Sequence, residues 1–302
     1  MPAQKLSARD DLEALVARYD TFLFDCDGVI WHGSTLVPHV QATLAMLRQR
    51  GKRLVFVTNN SATSRKDYAK KFAALGIDAA VDEIFSSAYA TAAYLAEVAR
   101  FPSDKVAYVI GGSGIRSELR DVGIATIGED DTTPVSLPTL AEIEPNPAVG
   151  AVVFGIDYDI TYRKLANAHL NIVHNPGCLF IATNDDRTLP GGKYVYPGTG
   201  AMLSSLVHST QRTPLVMGKP NKPMLDCVMQ NYHLDPATTC MVGDRLDTDI
   251  LFGINGGLAT LCVLTGVASE ADILDPAAPQ PTYYIDSLGD LATLAESESE
   301  SA

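Results

Sequence analysis

FLFDCDGVIW, Phe22 to Trp31, is an apolar run that ends abruptly in two carboxylates and a glycine. The bulk of Phe22-Leu23-Phe24 suits a strand buried on both faces. Asp25-Cys26-Asp27-Gly28 then supplies charge and a flexible turn where the strand should stop. Carboxylates at i and i+2 point the same way while the backbone stays extended. Two acids at the carboxyl edge of a buried strand carry a desolvation cost that packing alone does not explain. Such a pair suits a divalent cation, or a division of labour between attack and proton transfer. A strand capped by a solvated Asp turn is the plain alternative.

The chain beyond repeats the pattern. Pro38 to Arg50 reads as an amphipathic helix ended by Gly51, and Leu54-Val55-Phe56-Val57 as a second buried strand running into Thr58-Asn59-Asn60-Ser61. A helix starting at Ser64 runs to Gly76. Short strands alternating with helices predict a parallel sheet with right-handed crossovers, whose ligands bind beyond the carboxyl ends of the strands. Asp25, Asp27 and Thr58 then fall on one rim. In the middle of the chain the rhythm continues without polar strand ends: helix Ala88 to Arg100, strand Lys105 to Ile110, helix Ile115 to Val122, strand Ala151 to Phe154, helix Tyr162 to Val173, strand Leu179 to Ala182. Gly111-Gly112-Ser113-Gly114 lacks the G-x-G-x-x-G spacing of a dinucleotide site. Gly128 to Ala148 reads as a long surface loop. Pro197 to Gly200 opens a helix to about His208, Leu215-Val216-Met217 reads as a strand ending in Lys219, and Met241-Val242 as one ending in Gly243-Asp244 through Asp249. Three acids on one rim repel unless a cation neutralises them, and oxygen ligands without His or Cys favour magnesium.

Composition narrows the classes. At 302 residues the chain has room for two domains or for one large core with an insertion. A net charge of −13 argues against nonspecific binding to nucleic acid or an anionic membrane. Five scattered cysteines without a Cys-x-x-Cys pair fit reduced thiols in the cytoplasm. The N-terminal residues lack the apolar core of a signal peptide, and no run approaches the roughly 18 apolar residues of a membrane span. The C-terminal ESESESA reads as a disordered acidic tail.

Asp25-Cys26-Asp27-Gly28, Thr58-Asn59-Asn60, Lys219 and Gly243-Asp244 through Asp249 occur in the order found in the haloacid dehalogenase superfamily of phosphatases, which the chain resembles. The wording FDCDGVIW, VTNNSATSR, GKPNKPM and MVGDRLDTDI is similar to its eukaryotic p-nitrophenyl phosphatase and phosphoglycolate phosphatase branch. The resemblance implies an α/β fold: a Rossmann-like parallel-sheet core over 1–86 and 205–302, with an inserted type-2 cap over 87–204. It implies Asp25 as nucleophile and magnesium ligand, and Asp27 as general acid/base with its backbone carbonyl on the metal. Thr58 and the Asn59 amide would hold the phosphoryl group and Lys219 would offset charge. Asp244 would bind Mg2+ directly and Asp249 would support the metal site, with Asp247 a solvated acid. In this branch the loop Asn184 to Arg187 faces the site, and Arg187 either binds a substrate carboxylate or pairs with Asp185 or Asp186.

The implied function is magnesium-dependent hydrolysis of small phosphate monoesters through an aspartyl-phosphate. The implied substrates are 2-phosphoglycolate and related acids, with p-nitrophenyl phosphate as an artificial substrate. A homodimer through the cap is a further implication. A pyridoxal-phosphate phosphatase and a catalytically silent phosphate-binding protein share the architecture and stay open at this stage.

Overall fold

The computed structural model describes residues 3–191 and 193–295; the acidic tail from Glu296 lies outside them. The chain forms two compact units. Of the described residues, the first holds those up to Thr58, then Tyr68–Phe85, and those from Lys219 onward; the second holds those in Asn59–Asp67 and Ser86–Gly218. The expected seam near Ser204 falls inside the Thr199–Thr210 helix. Beyond it, Leu215–Val216 pairs with Leu179–Ala182, so the second unit continues to Gly218.

Seven strands order the first unit: Gln4–Lys5, Tyr283–Ile285, Ala259–Val263, Thr239–Gly243, Thr21–Phe24, Arg53–Thr58, Ile84–Ser86. From Gln4–Lys5 through Arg53–Thr58 every neighbouring pair is parallel. Thr21–Phe24 lies near the middle and is buried throughout, as its uninterrupted apolar run requires. Phe22 and Phe24 share a face two residues apart and stack at 6.1 Å; Phe24 meets Phe56 at 5.9 Å, and Phe56 meets Phe72 at 4.4 Å. Tyr68 and Phe72, one helical turn apart, present the buried stripe of the Arg65–Ala74 helix to this face. The Val40–Gln49 helix buries Val40, Leu44 and Leu47, a spacing that keeps one side apolar.

The strand order dictates where a ligand sits. After Thr21–Phe24 the chain builds outward through Arg53–Thr58 and Ile84–Ser86; later it returns to the other side through Thr239–Gly243, Ala259–Val263 and Tyr283–Ile285. The direction of winding therefore reverses between Thr21–Phe24 and Thr239–Gly243, and crevices beyond the strand ends form at such switch points. Asp25 and Asp244 immediately follow those two strands.

The second unit is a five-stranded sheet in the order Leu215–Val216, Leu179–Ala182, Val149–Phe154, Val106–Ile110, Thr126–Ile127, all parallel. Thr161 caps the Tyr162–His174 helix by accepting the Lys164 N–H, and Ser86 caps Ser87–Ala93 by accepting that of Tyr89. That second helix gives way to a wider, π-type turn at Tyr94–Val98. The glycine run before the Ser113–Asp121 helix serves packing: a Cβ on Gly114 would lie 2.6 Å from the Thr63 backbone. The expected loop 128–148 contains the short helix Leu137–Leu140. An antiparallel hairpin, Thr188–Gly191 with Tyr194–Pro197, was not expected from the sequence. None of the five cysteines is in a disulfide, and no helix among the described residues is long and apolar enough to cross a membrane.

Phe72 is wholly buried between Phe56 and Trp31. Phe72→Ala should destabilise the first unit by about 3–5 kcal/mol, measured by urea denaturation followed by circular dichroism. A loss under about 1 kcal/mol would show that the helix does not depend on this contact.

Candidate active site

Asp25 still belongs to the sheet: its N–H donates to Val242 O at 2.9 Å. The chain then turns. Cys26 O accepts the N–H groups of Ile30 at 2.8 Å and Trp31 at 3.2 Å, and Gly28 N donates to Trp31 O at 2.7 Å. The backbone is thus not extended through Asp27, and the two acids enter different surroundings. Gly28 has φ +88°, and a Cβ there would lie 2.6 Å from Asp244 Oδ2, so the turn requires glycine twice over.

Lys219 binds the acids together. Its Nζ lies 2.6 Å from Asp25 Oδ1 and 2.7 Å from Asp249 Oδ1, and donates to Val57 O at 2.8 Å. The Lys219 side chain is 2% exposed, Asp249's 2% and Asp25's 13%. The strand ahead of Lys219 belongs to the second unit's sheet, so only three of the four expected polar strand ends come from the first. Leu215-Val216-Met217 is too short for periodicity to say which sheet it joins.

Asp249 reaches this cluster through local geometry. Asp249 N and Ile250 N both donate to Arg245 O at 3.1 Å, opening a π-type turn at Leu246–Ile250. Such turns place side chains off the ordinary helical register. Asp249 Oδ2 accepts from Asp244 N at 3.2 Å and Arg245 N at 3.1 Å, leaving Oδ1 for Lys219. Asp247 points elsewhere: it is 69% exposed and pairs with Arg245.

Asp25, Asp244 and Asp249 each offer an oxygen, all within 4.8 Å of one another. Asp244 Oδ2 accepts from Val267 N at 2.8 Å, while Asp244 Oδ1 is buried with no hydrogen-bond partner. Burial pushes the Asp244 carboxyl up to about 7, and repulsion from Asp249 adds to the rise. Burial likewise raises Asp25 well above the usual carboxylate range; Lys219 opposes this, while Asp249 and Asp244 reinforce it. Burial lowers Lys219, but the attraction of Asp249 and Asp25 outweighs it and leaves the ammonium harder to deprotonate. Burial also lifts the Cys26 thiol well above its ordinary range, helped by Asp25 and Asp27, which keeps it protonated.

Asp27 stands outside the three-carboxylate group. Its Oδ1 accepts the Trp31 indole N–H at 3.0 Å, a partner with no local sequence signal because Trp31 closes an apolar run. Thr58 is buried and hydrogen-bonds with Tyr68.

The remaining expected residues belong to the second unit. Asn59 O accepts from Ser87 Oγ at 2.7 Å and from Asn184 Nδ2 at 2.9 Å. Asn59 Nδ2 donates to both carboxylate oxygens of Asp186 at 3.3 Å, a link that sequence reading missed. Asn184 is buried, and its Oδ1 accepts from Asp186 N. Arg187 is exposed and lines an open cavity of 740 Å³ with Asp185, Leu203, Val207 and His208.

The family profile "Haloacid dehalogenase-like hydrolase" matches residues 22–125, and a second profile, HAD-hydrolase-like, matches residues 216–291. The chain is 46% identical to phosphoglycolate phosphatase 2 of Arabidopsis thaliana, over 98% of this chain and 99% of the relative. It is 42% identical to the 4-nitrophenylphosphatase of Schizosaccharomyces pombe, over 97% of this chain and 100% of the relative. A glycerol phosphate phosphatase of Mycobacterium tuberculosis, solved in complex with magnesium, superposes with a TM-score of 0.76 at 29% identity, over 92% of this chain and 77% of the other. With near-complete coverage at such identity, the chain belongs to the haloacid dehalogenase-like hydrolases.

Proposed function

We propose that this hydrolase is a magnesium-dependent phosphatase of small phosphate monoesters, acting through Asp25. The observation that carries the reading is an imbalance of buried charge. Three carboxylates share a pocket with one ammonium, and one buried oxygen, Asp244 Oδ1, has no partner. A divalent cation would offset the excess, and an all-oxygen donor set suits magnesium. Asp25, Asp244 and the Asp27 carbonyl would hold it, with Asp249 supporting. When bound, the cation neutralises charge on the phosphoryl oxygens.

The side chains divide the chemistry. The Asp25 carboxylate attacks phosphorus; the bond to the leaving oxygen breaks as Asp27 delivers its proton to that oxygen, giving an alcohol and an aspartyl-phosphate. Asp27, now ionised, takes a proton from water as the water oxygen attacks the same phosphorus. The acyl-phosphate P–O bond breaks, releasing inorganic phosphate and restoring Asp25. Lys219 holds Asp25 in line and limits its affinity for a proton. Thr58 and the Asn59 amide would bind the transferring group. Two steps suit a bond whose uncatalysed hydrolysis is among the slowest known. A silent binding protein would not need both Asp25 and Asp27 with their separate partners.

The relatives' names centre the substrate range on compact esters such as phosphoglycolate and glycerol phosphate, with 4-nitrophenyl phosphate as a reporter.

Asp25→Asn should abolish turnover of 4-nitrophenyl phosphate while leaving circular dichroism unchanged, since the amide is nearly isosteric but a poor nucleophile. Substantial activity in pure variant protein would rule out the covalent route.

The metal site predicts a pH-dependent stabilisation. Asp244 titrates near 7 in the folded protein, against an ordinary 3.8. Without a cation, its protonation favours folding fully below the unfolded value, and that contribution is lost as pH rises through about 7. A cation binds the ionised form and so gains most at the upper end. The rise in Tm with saturating magnesium should therefore be larger at pH 8 than at pH 6, and much smaller at both in Asp244→Ala. An Asp244→Ala protein with the parent's magnesium response would remove Asp244 from the ligand set.

Substrate choice gives a third test, centred on the exposed guanidinium of Arg187. If it recognises a substrate carboxylate, Arg187→Ala should lower kcat/KM for phosphoglycolate by roughly 30- to 1000-fold. The change for 4-nitrophenyl phosphate, which has no carboxylate, should be much smaller. Equal losses would make Arg187 a structural residue.

A further inference from the structure

The chain has one tryptophan, and it is placed against Asp27. Trp31 is 0% exposed although its indole carries a polar N–H. That N–H must find an acceptor when buried, and the one it finds is Asp27 Oδ1 at 3.0 Å. The contact follows from the turn already described: with Cys26 O collecting the Ile30 and Trp31 amides, residue 31 comes back beside residue 27.

The indole is fixed on every side. Tyr68 stacks against it at 6.2 Å, and Phe72 meets it edge-on at 4.8 Å. Lys71 Nζ sits 3.8 Å from the ring centroid. A cation over the ring draws electron density toward itself and sharpens the N–H as a donor. Lys71 also attracts Asp27 directly. A rigid neutral donor with a cation behind it thus supports the carboxyl group from within the apolar core.

We propose that Trp31 is the positioning residue of the acid/base. Its indole N–H occupies Asp27 Oδ1 and fixes the plane of the carboxyl group, leaving Oδ2 as the oxygen that carries the proton to and from the reacting oxygens. Proton transfer then proceeds from one oxygen in one orientation, without a rotamer search at each turnover. This inference rests on Asp27 being the general acid, and the experiment separates the two.

The test replaces Trp31 with 3-benzothienylalanine, which has the shape of tryptophan but sulfur in place of N–H. Trp31→Phe serves as a genetically simple companion, and a thermal melt of each shows that the fold persists. The readout is kcat/KM across a series of phosphate monoesters, from 4-nitrophenyl phosphate, whose leaving group needs no proton, to alkyl phosphates, whose leaving group does. With the isostere, kcat/KM for alkyl esters should fall about 10- to 100-fold, part of the 10²–10⁴ that a positioned acid supplies, while 4-nitrophenyl phosphate changes less than about threefold. Asp27→Asn should show the same pattern more strongly. If the isostere matches the parent while Asp27→Asn is selectively poor on alkyl esters, the acid assignment stands and the role given to Trp31 is overturned. Equal loss on all esters with the isostere would also overturn it, by showing a structural role alone. Equal loss on all esters in Asp27→Asn would remove the acid assignment and the inference with it.

Discussion

A single buried ammonium holds the first unit's polar centre together. Lys219 Nζ lies within ion-pair distance of Asp25 and Asp249 and donates to the carbonyl of Val57, so it ties three separate stretches of chain to one point. Burying such charges is expensive, and leaving any of them unpaired is worse. The arrangement therefore makes a poor contribution to stability compared with an apolar core of the same volume. Its value is positional. One ammonium fixes the rotamers of two carboxylates and still leaves the pocket negative, so the protein keeps in place a demand for positive charge.

That demand sits where the sheet winding reverses. At the switch point the two flanking strands, Thr21–Phe24 and Thr239–Gly243, run side by side, and their first residues beyond the sheet are Asp25 and Asp244. Parallel pairing in register levels those ends, and the Asp25 N–H bond to Val242 O holds the level. Two local departures from regular structure complete the set. The turn after Asp25 requires a positive φ at Gly28, and the wide turn at Leu246–Ile250 swings Asp249 back under the Asp244 amide. Regular elements supply the platform; irregular ones aim the side chains.

This division explains what was legible in the sequence. Apolar runs ending in acids exposed the strands and the rim, because buried parallel strands leave an unmistakable pattern. The same pattern sets Asp25, Thr58, Lys219, Asp244 and Asp249 at or beyond strand ends. The sheet to which Leu215–Val216 belongs was not readable, since two apolar residues fit either. The Thr188–Gly191 and Tyr194–Pro197 hairpin was hidden because its strand Tyr194–Pro197 is exposed and lacks apolar alternation. The Asn59–Asp186 bond joins residues 127 positions apart, and no local signal announces it. Trp31 was hidden differently: in a buried run a tryptophan looks like one more core residue until its N–H is followed to an acceptor.

Asp25 and Asp27 show how one short motif yields two different acids. They are separated by a single residue, yet the turn at Cys26 sends them into opposite environments. Asp25 faces an ammonium and two further carboxylates, a setting dominated by charge in which its affinity for protons depends on what neutralises the pocket. Asp27 faces a neutral N–H donor on a packed aromatic ring. A nucleophile has to be ionised when the phosphoryl group arrives; burial, Asp249 and Asp244 oppose this, and Lys219 favours it. An acid/base has to accept and release a proton within one turnover, which a fixed ammonium contact would hinder and a neutral hydrogen bond permits. Under the proposed roles, the first carboxylate has a direct charged support, and the second a neutral hydrogen bond with Lys71 behind the ring. The turn geometry, more than the identity of the acids, sets these two environments apart.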